Sequence, residues 1–490
     1  MAGKNIIIRG AVFALGMTAL FFVTACSALK TSPEPDRMWA PPKWEKTTKM
    51  PDKVWSSIRS EEINGGEPLT LVGLVDIALQ RNPSTREAWE KARAAQMRIK
   101  EAEGKWYPQV TASMSSTYNY LHADQLFRDL NQADDSVEGD ATFLVLDLGG
   151  RAASVKEAKQ TMIAANFQFN QTFQDLLLDT ETAYYNLYSA KSEVEAAEKN
   201  VEDAHMSLAA AEQKLKTGLA IKLDVLQARA KYDDALYFLE GARGAVKAAE
   251  ADLAKTIGVP ADAGLEISDP FGEIPINITV EDIGGLIEEA LKKRPDISAM
   301  RAGLRAKEAA VVVASSDMWP TLNIGGSLFA DDYKYYGSEK DDETNPGWDR
   351  GYSGYVSVDW NVFDGFSNYA KVKEAKALER AERERLVQAE LAASADVWTK
   401  YYNYRTAVQK LGFSRALYDT STEAYDLALE SYDNGLKSIL DLLQAQTDLA
   451  QARSKLIGSR RDVFVTLAEL AHSTGSMNVR EEDNAAAVTR

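Results

Sequence analysis

The sequence predicts a mainly α protein with a smaller membrane β part, laid out as a tandem repeat. Three observations predict it. Residues 151–217 hold neither Gly nor Pro and stop at Gly218. As a helix rising 1.5 Å per residue, that run makes a rod on the order of 100 Å long. A second run, residues 366–434, is interrupted only by Gly412 and also ends at a glycine, Gly435. Between the rods lie short stretches in which apolar and polar residues alternate, the period of a strand with one greasy face. Such rods do not fit inside compact domains, so they suggest a conduit or a spacer.

Composition narrows the function. The 490 residues carry 56 Lys plus Arg against 73 Asp plus Glu, a formal charge of −17, with no basic block. Nucleic acid is therefore excluded as a partner. The three histidines, His122, His205 and His472, are scattered. With no metal-spaced cluster, nucleophile elbow or phosphate loop in the sequence, neither an enzyme nor a resident metal is expected.

At the amino terminus Lys4 and Arg9 precede an apolar run at residues 11–23, too short to span a bilayer and of the right length for a secretory signal. Val23-Thr24-Ala25-Cys26 resembles the bacterial lipobox, which makes residues 1–25 the signal peptide and Cys26 the lipidated first residue of the mature chain. Cys26 is the only cysteine, so a disulfide within the chain is excluded. No cofactor is expected beyond the covalent lipid on Cys26. Ser27 resembles the sorting residue of outer-membrane lipoproteins. Residues 26–68, with Pro33, Pro35, Pro41, Pro42 and Pro51, read as an extended tether that Trp39, Trp44 and Trp55 hold along the protein surface.

The repeat is found by subtraction. Leu74, Ala78, Leu79 and Pro83 return at Leu286, Ala290, Leu291 and Pro295, and Pro108 at Pro320, at an offset of 212. Asp147, Tyr184-Tyr185-Asn186, Gly218-Leu219, Asp224 and Gly258 return at Asp364, Tyr401-Tyr402-Asn403, Gly435-Leu436, Asp441 and Gly475, at an offset of 217. The second copy thus carries a five-residue insertion between Pro320 and Asp364. The domains are a first repeat at 69–258, a linker at 259–279, a second repeat at 280–475 and a polar tail at 476–490.

Each copy reads as a short helix (71–81, 280–293), a medium helix (84–104, 296–316), two strands, a long helix, a glycine turn and a returning helix (221–257, 438–474). The strands are placed at residues 110–121, 141–146, 322–329 and 352–362, with polar acidic loops at 123–139 and 331–351. In hydrocarbon four strands leave unpaired edges and a barrel needs at least eight, so oligomerisation is required. On the first rod Leu177, Thr180, Tyr184, Leu187, Val194, Val201, His205 and Leu208 follow steps of three and four, interrupted by Lys191 and Glu198. That mixed stripe suits a wide, wet helical barrel better than a solid coiled coil.

The chain resembles the TolC-type outer-membrane efflux proteins, in their lipoprotein branch, over about residues 69–475. The resemblance is carried by the tips Thr217-Gly218-Leu219-Ala220 and Asn434-Gly435-Leu436-Lys437-Ser438, by Asp224-Val225-Leu226-Gln227-Ala228 and Asp441-Leu442-Leu443-Gln444-Ala445, and by the strand-to-helix links Val145–Arg151 and Val362–Gly365. The second link departs from the usual double glycine at Phe366. The resemblance implies a homotrimer with a twelve-stranded outer-membrane β-barrel, a periplasmic α-helical barrel and an equatorial belt. It implies an exit duct for a tripartite pump, with a periplasmic adaptor, an inner-membrane pump and outer-membrane lipid as partners. Gly218, Leu219, Gly435 and Leu436 become adaptor-docking tips. Asp441, Asp224, Gln444, Tyr432 and Lys437 become the periplasmic gate, where Gln444 stands at a position that often carries a second aspartate. An exit duct for polypeptide secretion and a secreted coiled-coil spacer are the alternatives.

Overall fold

The computed structural model describes residues 36, 68–123, 128–268, 283–336 and 348–477. The signal, Cys26 and nearly all of the tether fall outside the described residues. Helices α1 (Leu71–Arg81) and α2 (Pro83–Gly104) lead into strands β1 (Gln109–Ala123) and β2 (Arg128–Leu146). The rod α3 (Gly150–Lys216) and the returning α4 (Lys222–Ile257) complete the first copy. Then α5 (Ile283–Lys293), α6 (Pro295–Ser316), β3 (Thr321–Tyr336), β4 (Asp349–Asp359), α7 (Ser367–Asp433) and α8 (Ile439–Ser473) repeat the order.

Local chemistry sets the boundaries. The Thr70 hydroxyl accepts the Gly73 N–H at 3.2 Å and opens α1, and Asn82 Oδ1 accepts the Ser84 N–H at 2.8 Å to open α2. Pro83 occupies the first turn of α2, where its missing N–H costs nothing. Each rod runs 67 residues without a break. Around the middle of α3, Phe173, Leu177, Tyr184 and Leu187 bury against Leu74 and Ala78 of α1 and Leu253 and Ile257 of α4. Tyr404, Ala407 and Leu411 of α7 pack with Leu456 and Val463 of α8.

The helices form an arc. At the strand end α2, α3, α6 and α7 are neighbours in that order, and at the far end α4, α3, α8 and α7 are. Helix α7 is thus the last helix of the arc at both ends, with α5 packed against it between them. The predicted stripe on α3 needs one correction, because His205 is exposed and the buried face there is Asp203, Ala204, Ser207, Leu208 and Ala211. Small and polar residues let the helices approach closely, which a search for large apolar side chains misses.

The four strands form one antiparallel sheet in the order β1-β2-β3-β4. Two expected loops are corrected. Strand β2 already runs from Arg128, inside the loop placed at 123–139. Strands β3 and β4 reach Tyr336 and Asp349, inside the loop placed at 331–351. The rim is polar on both faces, with Asp134 paired to Thr117 and Asp135 to Asp332, so alternation disappears while the backbone ladder continues. Strand β4 ends at Asp359, leaving Trp360, Asn361 and Val362 beyond it.

The register sorts the two faces. Val110, Ala112 and Met114 align with Ala141, Gly139 and Val137, and these with Gly326, Leu328 and Ala330. Leu322, Ile324 and Leu328 align with Val358, Val356 and Tyr352. One face is therefore an apolar band across all four strands, and its members stay exposed: Met114, Leu328, Val356 and Val358 among them. The opposite face is polar, with hydroxyl pairs Ser115–Ser136 at 2.7 Å and Ser327–Ser353 at 2.9 Å and an Asn323–Asp359 bond at 2.9 Å. Among the described residues, the outer edges of β1 and β4 have no strand partner.

Candidate functional site

Two regions are candidate sites, the junction of strands with helices and the far tips. At the junction, β2 slips register between Leu144 and Leu146. Arg151, nearly buried, donates to the Leu144 carbonyl at 2.6 Å and the Val145 carbonyl at 3.2 Å, pairing acceptors around the slip. Asp147 holds Arg151 through its N–H at 2.5 Å and Nε at 3.3 Å, and the guanidinium lies 4.4 Å from the Trp106 ring centroid. The second copy repeats the backbone half of this device, since Asp364 accepts the Asn368 N–H at 2.7 Å. Both links contain two successive left-handed residues, Leu148-Gly149 and Gly365-Phe366. Phe366 takes that conformation, with φ 67°, where the first copy has a glycine.

The tips are duplicated turns. Gly218 and Gly435 adopt φ 78° and 75°, which only glycine takes without strain. Each lets the chain fold back onto the last helical turn: Leu219 N–H donates to the Lys214 carbonyl and Leu436 N–H to the Ser431 carbonyl, both at 2.8 Å. Leu219 and Leu436 project outward, 79% and 78% exposed. Behind them one core joins both hairpins, with Leu208 and Ala211 from α3, Ala228 from α4, Tyr425 and Tyr432 from α7, and Leu442, Leu443 and Leu449 from α8. The two tips therefore sit side by side.

The acidic residues first serve the returning helices. Asp224 Oδ2 accepts the Ile221 N–H at 3.1 Å, and Asp441 Oδ2 accepts the Ser438 N–H at 3.1 Å and hydroxyl at 2.8 Å. The Asp441 N–H in turn donates to the Ser438 hydroxyl oxygen at 3.3 Å, completing a reciprocal cap. The Ser438 side chain and N–H, with Lys437 beside them, hold the exposed Asp441 carboxyl below the usual carboxylate range. Gln444 is exposed and donates to Asp448 at 2.9 Å, so the next acid on this face lies two turns past Asp441.

Tyr432 is buried, and its hydroxyl has no hydrogen-bond partner among the described residues. Its ring and carbonyl are the groups engaged, both by Lys214. Burial, with Asp224 and Asp433 nearby, raises the Tyr432 phenol above its ordinary value. Lys437 is exposed. The sequence reading missed Lys214; its signal was a last-turn lysine one helical turn before Gly218. It also missed the pair between Arg453 and Asp203, at 2.6 Å, which ties α8 to α3 with Asn200 at 2.7 Å. Only spatial adjacency reveals such a pair, since its members lie 250 residues apart.

Long helix hairpins continuing a four-stranded sheet with one apolar face are the architecture of an envelope channel. The chain belongs to the outer membrane efflux protein family, which matches residues 74–259 and 286–476. Protein CyaE of Bordetella pertussis is 26% identical over 412 residues, covering 83% of each chain. Outer membrane protein TolC of Escherichia coli is 23% identical over 337 residues, 67% of this chain and 66% of TolC. The outer-membrane channel OprN has the same fold, with a TM-score of 0.72 at 22% identity over 88% of this chain and 98% of OprN. The protein is an outer-membrane efflux channel, with its helices extending into the periplasm. Its family works with adaptors and inner-membrane pumps.

Proposed function

We propose that three copies of this chain close a twelve-stranded barrel in the outer membrane, continued by a periplasmic helical barrel through which a tripartite pump discharges. The observation that carries this is the sheet itself. It is apolar on one face, polar on the other and open at both edges, an arrangement hydrocarbon tolerates only when further copies supply the missing edge partners. Helix α7 supports closure, because Val387, Leu391, Trp398, Tyr402 and Phe413 line one exposed stripe along the arc's outer edge. At the other edge α4 exposes Tyr237 and Phe238. Stripe and aromatic pair lie at different edges, so contact between copies is head-to-tail, the kind that closes a ring when its rotation allows.

Cys26 carries the lipid anchor, and the barrel provides the main hold. Gly218, Leu219, Gly435 and Leu436 meet the periplasmic adaptor. Asp224 and Asp441, repeated around the threefold axis, ring the narrow end with Gln444, while Tyr432 and Lys437 hold that end closed. The repeat domains at 69–258 and 280–475 are the two halves of this protomer. Native mass spectrometry of the detergent-solubilised protein tests the assembly: the expected species is a trimer carrying a diacylated or triacylated Cys26. A monomer or dimer as the largest species would overturn the reading.

A further inference from the structure

We propose that a cleft in the first copy, where α4 ends and α2 begins against α3, binds an organic cation bearing a guanidinium or ammonium group. The two repeats build this junction differently. In the second copy Arg294 sits between the end of α8 and the start of α6. Its guanidinium donates to Asp296 at 3.1 and 2.8 Å, to Asp396 at 2.8 Å and to the Ser473 carbonyl at 3.2 Å. One turn along α7 from Asp396, Lys400 pairs with Glu469 of α8 at 3.0 Å. At the repeat offsets of 212 and 217, Arg294 and Asp296 become Asn82 and Ser84, Asp396 and Glu469 become Asp179 and Asp252, and Lys400 becomes Ala183. Two carboxylates are thus kept while both of their cations are lost. Asn82 Nδ2 reproduces only the backbone bond, to the Thr256 carbonyl at 2.7 Å.

The shorter side chains leave a cleft of ≈ 700 Å³, onto which Asn82, Asp175, Asp179, Ala183, Asp252 and Lys255 all open. Asp175 stands where the second copy has Ala392, so both junctions present three carboxylates. The second answers them with Arg294 and Lys400, the first with Lys255 alone. Asp175 is engaged by Gln171 at 2.7 Å and by His472 at 2.8 Å. Asp179 makes no hydrogen bond or ion pair among the described residues. Partial burial in the cleft, and then the charge of Asp175, raises the Asp179 carboxyl above its ordinary value. The second copy identifies the occupant, because there the equivalent aspartate holds a guanidinium through a charge-assisted bond. A metal ion fits less well, since no three acidic or histidine side chains converge closely enough among the described residues. Helix α1 packs on the face of α3 that carries Phe173, Leu177 and Tyr184, and Asp175 and Asp179 lie on the opposite face. In the channel proposed above the belt containing α1 is outside, so the cleft opens to the lumen and its cation is cargo in transit. That last step rests on the channel reading, whereas the site itself lies within one protomer.

The test is equilibrium dialysis of the full-length, detergent-solubilised protein against radiolabelled agmatine, with sodium chloride at equal ionic strength as the control. One saturable site per protomer is expected. Asn82→Arg supplies the first copy with the cation the second already has, at a position where Arg294 is accommodated, and should weaken agmatine binding about tenfold or more. Asp179→Asn should weaken it comparably, which keeps the test decisive if the arginine variant does not fold. Asn82→Ser keeps a cap for α2, adds no charge and should keep affinity within about twofold. Binding that survives both Asn82→Arg and Asp179→Asn, or that sodium chloride displaces equally well, overturns the site. In planar bilayers agmatine should block current through the unsubstituted channel and not through Asn82→Arg. Binding lost in both variants without any block of current would leave the site standing and overturn its place in the lumen, which belongs to the channel reading.

Discussion

Lys214 Nζ, at the end of the first rod, lies 4.0 Å from the ring centroid of Tyr432, at the end of the second, and donates to the Tyr432 carbonyl. One ammonium thus joins the aromatic face and the carboxyl-terminal dipole of α7 to α3. Cation–π attraction and a charge-assisted hydrogen bond at a half-buried site are together worth about 2 kcal/mol. Lys214→Met should therefore raise the population of separated tips on the order of tenfold or more, read as higher resting conductance in planar bilayers. Tyr432→Phe with Lys437 intact keeps this staple. An unaltered closed channel in Lys214→Met would assign the contact to packing.

The exposed leucines offer a cleaner separation of roles. Leu219 and Leu436 contribute little to the core that joins the hairpins, because each is more than three-quarters exposed. Replacing both with Asp should leave folding within about 0.5 kcal/mol. Export should nevertheless be lost while trimers still reach the outer membrane. Normal substrate export by the double variant would remove these tips from adaptor docking.

Between the hairpins, Arg453 and Asp203 face one another with side chains only 16% and 11% exposed, and Tyr425 donates to the Asp203 carbonyl at 3.3 Å. Burial, and secondarily Asp203, pushes the Tyr425 phenol up to about 12, so it remains a donor throughout the physiological range. Arg453→Met strands a carboxylate between α3 and α8 and should cost about 3 kcal/mol in thermal unfolding. Adding Asp203→Asn should recover most of that loss. If the double variant unfolds like the single, the pair is not what holds the hairpins together.

How much of this was legible depended on the range of the interaction. Glycine-free runs, caps and the 212 and 217 offsets are local or self-similar, and they located every helix among the described residues within about three residues. Strand length was less legible, since rim residues such as Asp134 and Asp135 are held by cross-strand ladders, not by their own preference. The apolar rows Val110-Ala112-Met114 and Val356-Val358 were visible because alternate residues on one face are apolar. Gly218 and Gly435 announced the turns, and Asp224 and Asp441 the helix starts. Lys214 against Tyr432 and Arg453 against Asp203 were not readable, because each requires knowing that α3 neighbours α7 and α8 in space. The conformation of Phe366 was half readable: the missing glycine was plain, but a strained αL phenylalanine is a structural result.

Asp441 serves two roles that one substitution can separate. Its carboxylate caps α8 through Ser438, and around a threefold axis it would also place three negative charges at the narrow end. Asp441→Asn keeps an acceptor for the Ser438 N–H but removes the charge, whereas Asp441→Ala removes both. The reversal potential in a KCl gradient should therefore lose cation preference in both variants, while thermal stability should fall further in Asp441→Ala, which loses acceptor and charge, than in Asp441→Asn, which loses the charge alone. The folded-state pKa is depressed, so the stabilisation from the charged cap is fully present above the unfolded value near 3.8 and is lost as pH falls through the lower, folded one. Cation preference in the native channel should accordingly survive mild acid and fade only at or below that range. Retention of full cation preference by Asp441→Asn would leave the residue as a helix cap and move the selectivity of the channel elsewhere.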